Sequence, residues 1–196
     1  MSVRLPAAER REQLLRVALQ SFAAAGFHAT SMNHIAAAAG VTKPVLYQHF
    51  ASKDELFSEV VASAGTELRV RVENALAEGE DSRDQVTLAF NAFIGTLAAD
   101  EAMYRVLFAD SLRHDPAANQ EIAAVERAMA SVIADELTEL SEDIAVRLML
   151  GHAIVGMSEG ALRHWYADDY DLEPEDLAAH LSDLAWAGLR GTKPAS

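Results

Sequence analysis

Residues 43–50 read Lys-Pro-Val-Leu-Tyr-Gln-His-Phe, and helical phase sorts them by chemistry. Leu46 and Phe50, at i and i+4, share one apolar face and point inward. Pro44 and Gln48 take the opposite face, with Lys43 and Tyr47 flanking it on one side and Val45 on the other. The outward face thus offers a cation, a phenolic hydroxyl, an amide and small apolar groups. Such a set suits phosphate contacts, base-edge hydrogen bonds and contacts to thymine methyls. Lys53 adds to this, because a cation in the first turn of a helix opposes the macrodipole. An external phosphate would resolve that conflict, since helix N-termini bind phosphates.

The charge distribution fits the same reading. The chain of 196 residues carries a net charge of −14, which taken alone argues against a nucleic-acid partner. Residues 1–53, however, hold six Lys/Arg against Glu9 and Glu12, a balance of +4. Residues 54–196 hold ten against twenty-eight Asp/Glu, a balance of −18. A slightly basic head on a strongly acidic body is a two-job pattern. The acidic excess leaves a cationic small molecule open as a partner, although surface solvation accounts for most of it.

Catalytic constellations do not emerge. With seven histidines and thirty acidic residues, some pairing arises by chance. No His-Glu-x-x-His, Gly-x-Ser-x-Gly or phosphate-cradling glycine loop is present, and no Glu-x-x-His pair falls on a bundle helix. Glu159 and His164 lack metal-ligand spacing, and the i, i+4 pair Asp176 and His180 falls on a helix better suited to dimerisation. The absence of cysteine excludes disulfides, thiolate metal sites and a cysteine nucleophile. The sequence therefore predicts no catalytic residues, no metal and no cofactor. No apolar run is long enough to span a bilayer, and residues 1–6 lack the apolar core of a signal peptide, so the expectation is a cytoplasmic protein with no membrane partner.

The elements that position these residues are helical throughout. Five prolines and ten glycines interrupt the chain, and β-branched alternation is absent, giving an all-α reading with about nine helices. The first runs from Ala7 to Ala25, with Leu15, Ala18, Leu19 and Phe22 on one stripe and Gly26 as the stop. Ser31 caps a short second helix ended by Gly40, and Thr42 caps a third with Pro44 in its first turn. Ser52 and Glu55 have capping-box spacing and open a long fourth helix to about Glu78. A fifth helix follows with Phe90, Phe93, Ile94 and Leu97, a sixth with Met103, Tyr104, Leu107 and Phe108, a seventh from Asp115-Pro116, an eighth over about 141–166 and a ninth from Pro174. Two very short helices joined by Ala39-Gly40-Val41 form the signature of a helix-turn-helix.

With this much in hand, the first sixty residues resemble the DNA-binding domain of TetR-type (tetracycline-repressor-like) transcriptional regulators. The resemblance is carried by Phe22, Gly26, Phe27, Thr30, Ser31, Ile35, Ala36, Ala39, Gly40, Val41, Leu56 and Phe57, and most specifically by Leu46-Tyr47-Gln48-His49-Phe50-x-x-Lys53. It implies a DNA-binding domain over 1–56 and an effector-binding and dimerisation domain over 57–196. It also implies a homodimeric, ligand-responsive regulator, taken as a repressor, on double-stranded palindromic operator DNA. By position, Thr42, Tyr47, His49 and Lys53 would hold phosphates. Ser31 and Asn33 would approach the backbone or a base, and Lys43, Pro44, Val45 and Gln48 would face bases. Pro44 departs from the glycine or serine of many members, which leaves the base opposite it undefined.

In the body, Phe90, Phe93, Met103, Tyr104, Phe108, Met129 and Met157 recur at helical spacing. Alone this pattern describes a packed core. The resemblance instead implies an effector cavity lined by these residues with Leu107, Ile133 and Ile154, suited to an apolar ligand. Asn91, Arg105, His114, Asn119, Arg127 and Trp165 are polar candidates there. The eighth helix is apolar on two sides, with Ile144, Leu148, Val155 and Leu162 on one and Leu150, Ile154 and Met157 on the other. Gly156-x-x-x-Gly160 permits close backbone approach, and the ninth helix offers Leu177, Leu181, Leu184 and Gly188. Together these make a two-fold four-helix dimer interface.

Overall fold

In a computed structural model of the chain, residues 6–108, 116–168 and 171–191 are described. They form nine helices: α1 (Ala7–Ala29), α2 (Met32–Ala38), α3 (Lys43–His49), α4 (Lys53–Glu78), α5 (Ser82–Ala99), α6 (Glu101–Phe108), α7 (Pro116–Glu136), α8 (Ile144–Ala167) and α9 (Pro174–Gly191). The all-α expectation therefore holds, and among the described residues no helix is long and apolar enough to cross a membrane. His114 lies outside the described residues.

Local sequence sets the helix ends. At Gly26 the backbone turns to φ 77°, ψ 169°, a conformation open to glycine, so α1 bends there and continues for one turn through Phe27. Ser31 accepts from the His34 N–H at 3.1 Å and caps α2. Gly40, at φ 67°, makes the turn to α3, where Val41 N–H closes onto the Ala36 carbonyl at 2.9 Å. Thr42 holds the extended N-cap position of α3 without a side-chain capping bond. At α4 the Glu55 N–H donates to Ser52 Oγ at 3.0 Å, while the Glu55 carboxylate reaches back to the Ala51 N–H at 2.6 Å. The capping box is thus present with its return bond displaced by one residue.

The chain divides into two compact units. The first gathers described residues from 1–64 and 102–122, and so includes α6 as well as α1 to α3. Its core is built on Leu14, Ala18 and Phe22 of α1, Ile35 of α2, Leu46 of α3, and Phe50, Leu56 and Phe57. The buried line on α1 is centred on Leu14 rather than Leu15, because 14, 18 and 22 form an unbroken i, i+4 row while Leu15 and Leu19 lie at its half-buried edge. Phe57 meets Phe22 and Phe27 edge-on, with ring centroids 5.1 and 5.0 Å apart. Arg11 adds a rim contact, ion-pairing with Glu59 and lying 4.8 Å over the Phe50 ring.

The second unit comprises 65–101 and described residues from 123 onward. Helix α5 packs extensively on α9. Tyr166 at the end of α8 donates to the Leu97 carbonyl of α5 at 2.6 Å, and Trp165 Nε1 donates to the Leu172 carbonyl at 2.8 Å. Gly151 sits where α8 passes α7, and a Cβ at that position would overlap the Ala130 carbonyl oxygen. Helix α4 belongs to both units, entering the second at Gly65. A division by sequence at residue 56 therefore differs from the compact units in two respects: the α4 crossover lies later, and α6 groups with the N-terminal helices.

Candidate nucleic-acid interface and effector cavity

Helix α3 presents the face its phase requires. Leu46 and Phe50 are 0% and 1% exposed. Thr42, Lys43, Pro44, Tyr47 and Gln48 are exposed, and Val45 and His49 are half-buried. The Lys43 ammonium lies 5.6 Å from the centroid of the Tyr47 ring, so the cation and the phenol share one flank of the helix. On α2, Ser31 and Asn33 are both exposed, the Ser31 oxygen being engaged in its cap. His28 and His34 also reach solvent. The outward set therefore has the composition that reads a major groove: donors for phosphate at the flanks, and an amide and small apolar groups between them.

Lys53 is placed otherwise than the helix-dipole argument suggests. Its ammonium donates to the carbonyls of Phe27 at 2.9 Å and Thr30 at 3.2 Å and lies 4.2 Å from the centroid of the Phe27 ring. These acceptors stand at the α1–α2 junction, where Thr30 Oγ1 also donates to the Gly26 and Ser21 carbonyls at 2.7 and 3.1 Å. The charge that opposes the α4 dipole is thus met by two carbonyls and an aromatic face within the chain. Two of its three N–H groups are occupied by these carbonyls.

The second unit contains a partly open apolar cavity of about 80 Å³. Its walls come from Val72 and Leu76 of α4, and from Val86, Ala89, Phe90 and Phe93 of α5. Met129, Ile133 and Glu136 of α7 and the adjoining Leu137 close one side. Ile154, Val155 and Ser158 of α8 and Ala185 and Leu189 of α9 close the other. From Phe93 to Val86 and from Met129 to Glu136 the lining extends about 10 Å along the helices, at 1.5 Å per residue. The volume is roughly half that of an engineered 150 Å³ cavity known to take up benzene. A ligand of several carbons must therefore displace side chains, and Met129 is well suited to move.

Of the residues expected at an effector site, Phe90, Phe93, Met129, Ile133 and Ile154 line this cavity. Met103, Tyr104, Leu107 and Phe108 do not; they are buried in the first unit. Met157 is half-buried on α8 and is also absent from the walls. Sequence reasoning missed Val72, Leu76, Val86, Ala89, Glu136, Leu137, Ser158, Ala185 and Leu189, and it assigned Val155 to the dimer interface instead. Most are small or aliphatic residues on helices whose rotation about the bundle axis the sequence leaves open.

The proposed dimer residues fall into two groups. Gly156, Gly160 and Leu184 are exposed, with Leu184 at 60%, and Leu148 is half-buried. Val155, Leu162, Leu177 and Leu181 are buried within the chain. Met149, at 61%, and Ile144, at 48%, extend the exposed apolar stretch of α8. A Cβ built at Gly156, Gly160 or Gly188 meets nothing within 4 Å among the described residues.

Residues 14–60 match the model of the bacterial regulatory proteins of the tetR family. The HTH-type transcriptional activator FasR of Mycolicibacterium smegmatis is 33% identical over 95% of this chain and 85% of its own length. The HTH-type transcriptional repressor KstR2 of Rhodococcus jostii is 27% identical over 94% of this chain and 80% of its own. The same fold occurs in FadR of Bacillus subtilis, solved in complex with stearoyl-CoA, with a TM-score of 0.79 at 19% identity over 90% of this chain and 98% of that one. The helix-turn-helix match and the full-length similarity to FasR together establish that the chain is a transcriptional regulator belonging to the tetR family.

Proposed function

We propose that the protein is a homodimeric repressor that places one α3 in the major groove of each half of a palindromic operator and is released by a small apolar effector. The observation that carries this reading is the path of α4. Its N-terminal half holds Leu56, Phe57, Val60 and Val61, buried alongside the DNA-reading helices, and its C-terminal half supplies Val72 and Leu76 to the cavity wall. An effector that pushes these walls apart favours a state in which α4 is tilted and the two recognition helices no longer match one turn of DNA. In the dimer, Gly156, Gly160, Met149 and Leu184 form the seam of a four-helix contact, which their exposure supports. Reciprocity then requires operator DNA to weaken effector binding by the same factor.

The stearoyl-CoA complex of FadR supports a ligand with a long apolar chain in this fold. The test is operator affinity, by anisotropy of a labelled duplex, with octanol as an apolar probe. Octanol should weaken binding of the wild type, with a coupling of about 1–3 kcal/mol. Ala89→Phe, which fills the cavity, should abolish that response while preserving DNA binding. An unchanged affinity for the wild type at saturating octanol contradicts the reading. One observation favours a different sign: the relative with 33% identity is an activator. On that second reading the same cavity and α4 couple in the opposite direction, and octanol strengthens operator binding.

A further inference from the structure

Glycine in the middle of a long helix is a weak choice, because alanine favours the helix more strongly there. Gly65 lies midway along α4 and is buried. The close approach of α7 accounts for it. A Cβ built at Gly65 would lie 2.5 and 2.8 Å from the two methyl carbons of Val125 and 3.2 Å from the Val125 Cβ. A valine in a helix is held largely to one χ1 rotamer, so turning the side chain offers little relief. Any larger residue at position 65 must part the two helices. On α7 a second close approach follows, where a Cβ at Gly151 of α8 would overlap the Ala130 carbonyl oxygen. Helix α7 is thus seated in two glycine notches five residues apart, and neither leaves room for a closer approach.

Beyond the first notch the same two helix faces become cavity wall. On α7, Val125, Met129 and Ile133 follow at i, i+4 and i+8 and share one stripe. On α4, Gly65, Val72 and Leu76 follow at i, i+7 and i+11 and do the same. Met129, Ile133, Val72 and Leu76 line the cavity, whereas Gly65 and Val125 are not among its lining residues. Helix α4 runs unbroken from Lys53 to Glu78. At 1.5 Å per residue, Val72 and Leu76 lie about 10 and 16 Å from Gly65 in one direction, and Lys53 about 18 Å in the other. A displacement at the wall therefore returns as one of similar size and opposite direction at the start of α4.

We propose that Gly65 bearing on Val125 is the fulcrum through which the effector acts on DNA binding: ligand moves the wall, α4 pivots on Val125, and its first turns carry the movement. Both are positioning residues, since the proposal has them touch neither ligand nor DNA. This rests on the effector reading above and names its coupling contact. The test measures operator affinity by anisotropy with and without octanol, octanol affinity by calorimetry, and stability by urea unfolding. It uses the full chain and three variants: Val125→Ala, Gly65→Ala and the two combined. In the wild type octanol should shift operator affinity by about fivefold or more. Val125→Ala removes the bearing surface. It should bind operator and octanol each within about threefold of the wild type, yet retain less than about a twofold shift. Gly65→Ala should shift operator affinity without octanol by at least about threefold, in the direction octanol shifts the wild type. The double variant rebuilds the contact with the two alanines and should recover both the operator affinity and the octanol shift to within about twofold. An undiminished octanol shift in Val125→Ala overturns the fulcrum while the effector cavity stands, whatever Gly65→Ala does to stability. A folded Gly65→Ala protein with wild-type operator affinity overturns it equally and leaves the contact as packing. Absence of any octanol shift in the wild type overturns both this inference and the effector reading.

Discussion

The ammonium of Lys53 lies 2.9 Å from the carbonyl oxygen of Phe27, at the junction of α1 and α2, and 4.2 Å from the centroid of the same residue's ring. One side chain at the start of α4 therefore holds the bend that Gly26 introduces into α1, and with it the entry to α2. The geometry makes Lys53 a clamp between the start of α4 and the α1–α2 junction.

Lys53→Met should accordingly lower folding stability by about 1–3 kcal/mol, since it removes charge-assisted bonds to half-buried carbonyls. Operator affinity should fall with it, but the dependence of log affinity on log salt should keep its slope. Parallel urea unfolding and salt titration check this. A slope reduced by about one unit at wild-type stability would make Lys53 a phosphate contact instead.

Lys43 and Gln48 should separate positioning from reading. The resemblance implies a base contact for Lys43, but its ammonium lies on the Tyr47 flank of α3. Lys43→Ala should therefore weaken binding across all sequences and reduce the salt slope by about one; a loss confined to one base pair would return it to the base-facing set. Gln48 stands on the outermost face, and Gln48→Ala should lose about 1–3 kcal/mol of discrimination at one base pair. Affinities for a panel of singly substituted duplexes distinguish the two effects.

The glycines of α8 should behave in opposite ways. Gly151→Ala brings a Cβ onto the Ala130 carbonyl and should destabilise the protomer by about 1–3 kcal/mol, despite the better helix propensity of alanine. At Gly156 an added Cβ meets nothing within 4 Å among the described residues, so Gly156→Leu should leave folding intact while shifting the sedimentation equilibrium toward monomer. A dimer that persists in Gly156→Leu would move the interface away from this stretch.

What the sequence made legible follows from how locally each feature is specified. The inward phase of Leu46 and Phe50, the Ser31 cap and the Gly40 turn depend on neighbours within a few residues, and the structure shows all of them. Lys53 was legible as an electrostatic anomaly, but its answer lay more than twenty residues away at Phe27 and Thr30. The cavity was legible only where α5, α7 and α8 carry large apolar groups, at Phe90, Phe93, Met129, Ile133 and Ile154. The grouping of Met103, Tyr104, Leu107 and Phe108 with the first unit depends on how α6 folds back in tertiary structure, which periodicity does not encode. Glu136 escaped notice because one exposed carboxylate among thirty acidic residues carries no pattern of its own.

The central claim, that two α3 helices read DNA together as a symmetric pair, is tested most directly by selecting duplexes from a random pool with the full chain. The account predicts enrichment of an inverted repeat whose half-site centres lie one helical turn apart, about 10 base pairs, or a small multiple of it. A site lacking two-fold symmetry, or no enrichment over the starting pool at moderate salt, would contradict it.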